Sequence, residues 1–358
     1  MPKYKFTEIA INSTEKKKPT EADKDTYIGL EHLDSGTLTV SRWGAEVAPI
    51  GEKLVMKKGD VLFGKRRAYQ KKVGIAPFDG IFSAHGMVLR PREEVITKEY
   101  FPLFISSDYF LNEAIRISVG SLSPTVNWKD LKDLEFFIPS IEEQRRLTPV
   151  VWAAIEARNA YKTLISRTDE LVKSQFIEMF GDPVARDQDE NLPSLGDVCT
   201  LKAGKFVKAD SIKEKQENGL FPCYGGNGLR GYVPTFNQEG EYPLIGRQGA
   251  LCGNVQYAVG QFHATEHAVV VTPKGEMDKF WLYHLLRLLH LNRYASGAAQ
   301  PGLAVNKLEA IRIVVPELQF QKQYSQLAKQ SDKSKFELQE AIVRIDNLIK
   351  SLIQQDTE

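Results

Sequence analysis

Of the 358 residues only three are cysteine, and Cys199, Cys223 and Cys252 are odd in number and too far apart for a Cys-x-x-Cys metal knuckle or a disulfide framework. They are expected to be reduced thiols. No apolar run approaches the roughly 18 residues a spanning helix needs, and the start, Met1-Pro-Lys-Tyr-Lys-Phe6, lacks the apolar centre of a signal peptide. A cytoplasmic protein with no membrane partner is expected. The chain has almost no charge of either sign in excess, at a net +1, so bulk charge alone draws no polyanion to it. It also has no G-x-S-x-G elbow, no Walker loop and no Asp-Pro-Pro-Tyr-like methyltransferase motif. No catalytic constellation is recognisable, and no catalytic residue is assigned.

What is there suits two folded domains: the length exceeds one ordinary core, and 42% hydrophobic with 26% charged residues is a globular composition. Charge, although balanced overall, is local. Between Lys57 and Lys72 seven basic residues face Asp60 alone, a net of +6, and between Lys202 and Lys215 five face two, a net of +3. Basic clusters inside Gly-rich, aromatic-bearing loops favour a polyanion contact.

The chain is duplicated. At an offset of 177, Gly120 meets Gly297, Pro124 meets Pro301, Leu131 meets Leu308, Pro139 meets Pro316 and Gln144 meets Gln321. Upstream the register slips to 182, where Gly64, Lys65, His85 and Pro91 meet Gly246, Arg247, His267 and Pro273. It slips again to 189, where Phe6–Ile9, a poor copy expected to open the first domain as a strand, meets Leu195–Val198. An ordered series in one frame, with small slips at loops, is the mark of an internal repeat.

Each copy opens with about 130 residues of short apolar runs, such as Asp60-Val-Leu-Phe63 and His267-Ala-Val-Val-Val271, broken by Gly, Pro and Asn. That pattern predicts short strands and long loops. One helix is expected among them, from Asp278 to Tyr294 in the second copy. A long helix closes each copy; in the first, Ser140 is the N-cap and Glu143 its capping-box partner. Pro149 is expected to kink or delay it. The apolar stripe chosen for the first helix is Val150, Ala154, Ala157, Tyr161, Leu164, Thr168 and Leu171. For the second it is Leu327, Ser331, Ser334, Leu338, Ala341, Ile345, Leu348 and Leu352. Narrow stripes want a partner helix, so Leu164, Leu171, Leu338, Ile345, Leu348 and Leu352 are expected to pack the two helices together. A 40-residue helix spans about 60 Å and serves as a spacer. The resulting fold class is α+β: two mostly β recognition domains in tandem, each followed by a long helix, the helices forming an antiparallel coiled-coil pair with pseudo-twofold symmetry. The expected boundaries are 1–139, first domain; 140–180, first helix; 181–191, linker; 192–316, second domain; and 317–356, second helix.

Two tempting motifs are set aside. Gly226-Asn-Gly-Leu-Arg-Gly231 satisfies G-x-G-x-x-G, yet a β-like run with Pro234 follows it instead of the helix a dinucleotide site requires. His263 and His267 would need helical geometry to share a metal, and Val269-Val-Val271 beside them is strand-like, so no metal site is assigned. His85 and His267 instead suit a structural hydrogen-bonding role.

The remaining signal is one frame with two different loops. The first carries Gly64-Lys-Arg-Arg-Ala-Tyr-Gln-Lys-Lys72; the second carries Gly246-Arg-Gln-Gly-Ala250 at the same place, preceded by Tyr224-Gly-Gly-Asn-Gly-Leu-Arg230. Arg, Lys, Gln and Asn pair with guanine and adenine edges, while lysine and tyrosine reach phosphates. The candidate DNA-facing sets are Lys65, Arg66, Arg67, Tyr69 and Lys71 in the first domain, and Lys205, Lys208, Tyr224, Asn227, Arg230, Arg247 and Gln248 in the second.

At Tyr27-Ile-Gly-Leu-Glu-His-Leu33, Gly59-Asp-Val-Leu-Phe63, Glu142-Glu-Gln-Arg-Arg146, Phe180-Gly-Asp-Pro183 and Leu195-Gly-Asp-Val198, the chain resembles the specificity subunit of type I restriction-modification systems. The resemblance covers nearly the whole length. It implies two target-recognition domains, each reading half of a bipartite site on double-stranded DNA, with the helices setting the gap. It further implies docking of two methyltransferase subunits and, through them, endonuclease/translocase subunits. S-adenosylmethionine would then sit on the methyltransferase and no cofactor on this chain. Two other classes stay open: a bilobed adaptor binding RNA or protein, and an enzyme with its site built across the two domains.

Overall fold

The computed structural model describes residues 2–249, 251–297 and 301–354, and divides into two compact units. Unit 1 comprises Met1–Lys162 with Gln339–Glu358; unit 2 is Thr163–Leu338. Each unit therefore holds a stretch of both long helices, Ile141–Phe180 and Leu318–Gln354.

In unit 1 a four-stranded antiparallel sheet is ordered Ala10–Ser13, Met87–Pro91, Val61–Phe63, Val73–Ile75. A second four-stranded sheet is ordered Lys16–Lys17, Lys53–Met56, Gly80–Phe82, Tyr27–Ile28, the last pair parallel. Unit 2 has one six-stranded sheet: Cys199–Ala203, Ala268–Pro273, Gln238–Gly246, Val255–Ala264, Phe221–Gly225, Gly228–Val233.

Strand register carries the duplication into three dimensions. Leu62 pairs with Val88 and, 182 residues on, Leu244 pairs with Val270. Asn12 faces Leu89 as Leu201 faces Val271, at offsets of 189 and 182. A one-residue slip would turn every side chain to the other face, so matched register means matched cores. The opening segments also agree, but Phe6–Ile9 and Leu195–Val198 are single helical turns where a strand was expected for the first. Each is held at its first amide: Phe6 N donates to Leu134 O and Leu195 N to Ile311 O, both at 2.7 Å. The apolar groups at both ends of Phe-Thr-Glu-Ile are buried, which a turn of helix achieves by pointing them to one side.

Helix content in unit 1 exceeds the sequence expectation, with Phe101–Ser106 and Asp108–Arg116 present. Phe101-Pro-Leu-Phe-Ile105 is a short continuous apolar run buried throughout, and such a run has no period to separate helix from strand. In unit 2 the expected helix is Lys279–Leu288, capped by Asp278, whose carboxylate accepts from Phe280 N and Trp281 N.

The first long helix starts at Ile141 and continues through Pro149, so the proline does not delay it. Ser140 and Glu143 form the capping box, at 2.9 and 3.3 Å. Pro149 and Arg145, the residue whose carbonyl the proline leaves unpaired, are both exposed, so water can take that carbonyl.

Rotation of the helices departs from expectation. Leu164 and Leu171 are 49% and 59% exposed, and Leu348 is 46% exposed. The buried stripe of the first helix lies one residue on, through Val151 in unit 1 and Val172 and Phe176 in unit 2. One residue is a turn of about 100°, enough to carry the leucines off the seam. Aromatic anchoring sets that rotation: in unit 2, Phe176 and Phe180 pack on Tyr324 and Trp281 with ring centroids 5.1–6.2 Å apart. Leu338 and Ile345 are half-buried, and Leu352 packs on the unit 1 core. The paired stretches run antiparallel. In unit 2, Asp169 meets Lys335 at 2.6 Å while Phe176 meets Tyr324. In unit 1, Arg158 meets Asp346 at 3.1 Å.

Burial in unit 2 has a pH consequence. His284 is packed between Phe280 and Tyr324, with Tyr324 Oη 3.0 Å from its Nδ1, and burial pushes its pKa down to about 4. The unfolded chain binds this proton near pH 6.5 and the folded chain does not until about pH 4, so the stabilisation is full above 6.5 and disappears as pH falls through that window. Roughly 3 kcal/mol of unit 2 stability should vanish between pH 6.5 and 4. Urea midpoints measured across that range should flatten in His284→Leu; an unchanged slope in the variant would assign the effect elsewhere.

Candidate nucleic-acid interface

In unit 1 the basic loop leaves the strand Val61–Phe63 and returns at Val73–Ile75, so both its ends are fixed in the sheet. Arg67 and Lys71 are left-handed, with φ of 55° and 51°, and flank the short turn Ala68–Gln70. Such backbone is costly for side-chain-bearing residues and persists where surrounding bonds hold it. Those bonds are present: Gly64 N donates to Lys72 O, Arg66 N to His85 O and Arg67 N to Pro124 O.

Arg66, Arg67 and Tyr69 are exposed and Lys65 is half-buried. Arg66 Nη1 lies 3.4 Å from His85 Nε2. Burial, then Arg66, Lys65 and Lys53, hold the His85 pKa below its usual value; burial and Lys16 do the same to Lys65. Several cations thus crowd one face, a field that suits an incoming anion. Lys71 is different: its Nζ is 2.6 Å from Asp108 Oδ1, which makes it an anchor of the loop to the helix Asp108–Arg116. Lys16 and Lys53 come from separate strands that only the fold brings together, which hides them in the sequence; His85, read there as a hydrogen-bonding residue, joins them from the turn before the strand Met87–Pro91.

In unit 2 the G-x-G-x-x-G segment supplies the turn of a hairpin between Phe221–Gly225 and Gly228–Val233 and the first residues of its second strand, with Gly228 at φ 96°. Its backbone abuts the strand end carrying Arg247: a Cβ on Gly246 would fall 1.8 Å from Gly226 O, so only glycine fits there. This close approach sets Gly226 against the main chain of Gln248, and Asn227 and Gln248 are both exposed. Arg230 is exposed and folds over Gly225. Arg247 is half-buried, and its Nε is buried without a partner among the described residues, as is Glu266 Oε2. Tyr224 is half-buried, its ring 5.7 Å from Phe262 and its hydroxyl pKa raised by burial. Lys205 and Lys208 are exposed on the loop after Cys199–Ala203. His263 lies on a strand, with Nδ1 3.3 Å from Thr235 Oγ1 and Nε2 3.3 Å from Lys205 O; His267 faces Glu266 at 3.2 Å.

The two loops sit in one main-chain frame. Val126 N donates to Lys65 O, and Arg67 N to Pro124 O; correspondingly, Leu303 N donates to Arg247 O, and Gly249 N to Pro301 O. The bridge Arg66↔Thr125 is matched by Gln248↔Gly302. Identical support under different side chains is an arrangement able to read two different sequences.

The sequence model described as "Type I restriction modification DNA specificity domain" matches residues 6–148 and again 191–344. The chain belongs to this family. Among curated relatives, the EcoprrI type I restriction enzyme specificity subunit of Escherichia coli is 50% identical over 129 residues, which is 36% of this chain and 32% of that protein. A putative type I specificity subunit of Haemophilus influenzae is 34% identical over 107 residues, 29% of this chain and 28% of that protein. The chain thus matches about a third of the length of these curated relatives. In fold it is similar to the S subunit of the type I restriction-modification system of M. genitalium, with a TM-score of 0.62 at 18% identity over 98% of this chain and 95% of that one. A chain from a structure describing complex assembly and conformational transition of the type I R-M system aligns at TM-score 0.58 and 19% identity, over 99% of this chain and 96% of that one.

Proposed function

We propose that this family member is the DNA-reading specificity subunit of a type I restriction-modification complex, non-catalytic itself and acting in the cytoplasm. Each unit reads one half of a bipartite site on double-stranded DNA. Lys65, Arg66, Arg67 and Tyr69 serve in unit 1; Asn227, Arg230, Arg247 and Gln248 serve in unit 2, with Lys205 and Lys208 on phosphates. The observation that carries the proposal is the shared frame: the same hydrogen bonds present a Lys-Arg-Arg loop in one unit and an Arg-Gln-Gly loop in the other. Arginine and glutamine are the side chains suited to guanine and adenine edges.

Two methyltransferase subunits dock on the chain and bring endonuclease/translocase subunits with them. S-adenosylmethionine binds to the methyltransferase, and the gap between half-sites follows helix length. Docking is supported by Leu164 and Leu171, seven residues apart and exposed on one helix of unit 2, the heptad spacing a partner helix would meet. Copurification with the methyltransferase of the same system, followed by a map of methylated sites, tests the proposal. A bipartite asymmetric motif that vanishes without this chain is expected; a pair that forms no complex and leaves no motif would favour an adaptor role.

A further inference from the structure

Beside the basic loop of unit 1 lies a second loop, Val119–Thr125, which neither charge nor base-pairing chemistry picks out of the sequence. It closes on itself through Val119 N to Thr125 O and Thr125 N to Val119 O, at 3.0 and 2.9 Å. It opens on Gly120 at φ 115°, as the matching loop of unit 2 opens on Gly297 at φ 99°. That second loop closes through Ser296 and Gly302 in the same way. Both loops are bound to their neighbours by the frame described above, and in unit 1 the Arg67 Nε also lies 3.4 Å from Ser123 Oγ.

The tip of the unit 1 loop is Leu122, 90% exposed, with Val119 at 65%. Among the described residues of the unit nothing covers this tip, and the residues to which its loop is tied are Lys65, Arg66 and Arg67. A protein partner would be expected to meet an apolar tip with an apolar patch, but here the surroundings are cationic. An apolar side chain on a loop tied to arginines matches duplex DNA, where arginines reach base edges or phosphates and the apolar group meets a base.

We infer that Val119–Thr125 is a second recognition loop, and that Leu122 is a specificity-determining residue reading a base in a DNA groove alongside Arg66 and Arg67. The inference rests on the DNA-reading role proposed above. It adds that base choice in the first half-site is shared between a polar loop and an apolar one, held in fixed relation by main-chain bonds. Thymine, with its exposed C5-methyl group, is the base an isolated leucine distinguishes best in the major groove.

The test uses the full chain assembled with the methyltransferase, comparing wild type with Leu122→Ala and Leu122→Ser. Both substitutions fall at an exposed position and leave the strapping bonds in place. Sites methylated in a randomised DNA library are sequenced, and copurification yield is recorded in parallel. Preference at one or two positions of a single half-site should weaken about fivefold or more, with the other half and the yield unchanged. Unchanged preference in both halves would overturn the inference while leaving the DNA-reading role intact. Loss of copurification would reassign the loop to protein docking. A wild-type complex that leaves no bipartite motif would overturn the DNA-reading role itself, and this inference with it.

Discussion

Replacing Gln144 with leucine should destabilise unit 1 by roughly 3–5 kcal/mol, since each buried group left unpaired costs about 1–3 kcal/mol. Gln144 is fully buried at the start of the first long helix. Its Oε1 accepts from Thr97 N at 2.7 Å, and its Nε2 donates to Val95 O and Pro139 O, both at 2.9 Å. One amide thus joins the helix start to the connection that follows the strand Met87–Pro91. Leucine fills similar volume and leaves an amide and two carbonyls without partners. Gln321, 177 residues on, does the same in unit 2: Oε1 accepts from Asp278 N at 2.8 Å and Nε2 donates to Pro316 O at 2.7 Å. With two bonds instead of three, Gln321→Leu should cost less, roughly 2–3 kcal/mol. Set against a typical total of about 5–15 kcal/mol, the first substitution would remove a large share of the stability. Urea unfolding of the full chain measures both; wild-type midpoints in either variant would show that the clamp carries no net stability.

Removing the charges of Lys65, Arg66 and Arg67 together should weaken DNA binding by roughly 100-fold at moderate salt, and each of the three that contacts a phosphate instead of a base should lower the salt slope by about 0.9. Lys71→Ala should behave differently. Its ammonium is held by Asp108, so its loss removes a loop anchor and should alter base preference more than the salt slope. Titrations of the assembled complex with duplex DNA at several salt concentrations separate the two effects. An unchanged slope in the triple variant would place the phosphate-binding cations elsewhere on the surface.

The repeat was legible in the sequence because Gly120, Pro124, Pro139 and Gln144 and their partners do structural work that tolerates few alternatives: left-handed backbone, a strap carbonyl, a helix start and a buried clamp. The rotation of the long helices was not. Leucines at 164 and 171 fit a seam by spacing, but Phe176, Phe180 and Tyr324 decide which face turns inward, and the residues they pack against are far away in sequence. For the same reason Lys71 read as a free cation, although Asp108 was 37 residues away. The basic loop stood out by charge density. Lys53 and Lys16 reach it from separate strands and His85 from a turn, and Leu122 carries no charge to draw notice. The position of Leu122 inside the segment framed by Gly120 and Pro124, both matched in the repeat, was the one available signal.

Division of labour between the units is tested most directly by mapping methylated sites for complexes carrying either Arg66→Ala or Arg247→Ala. The expected result is that each substitution relaxes base preference in one half-site only, and that the two affect opposite halves. If either one altered both halves, or if both altered the same half, the assignment of one recognition surface to each unit would be contradicted.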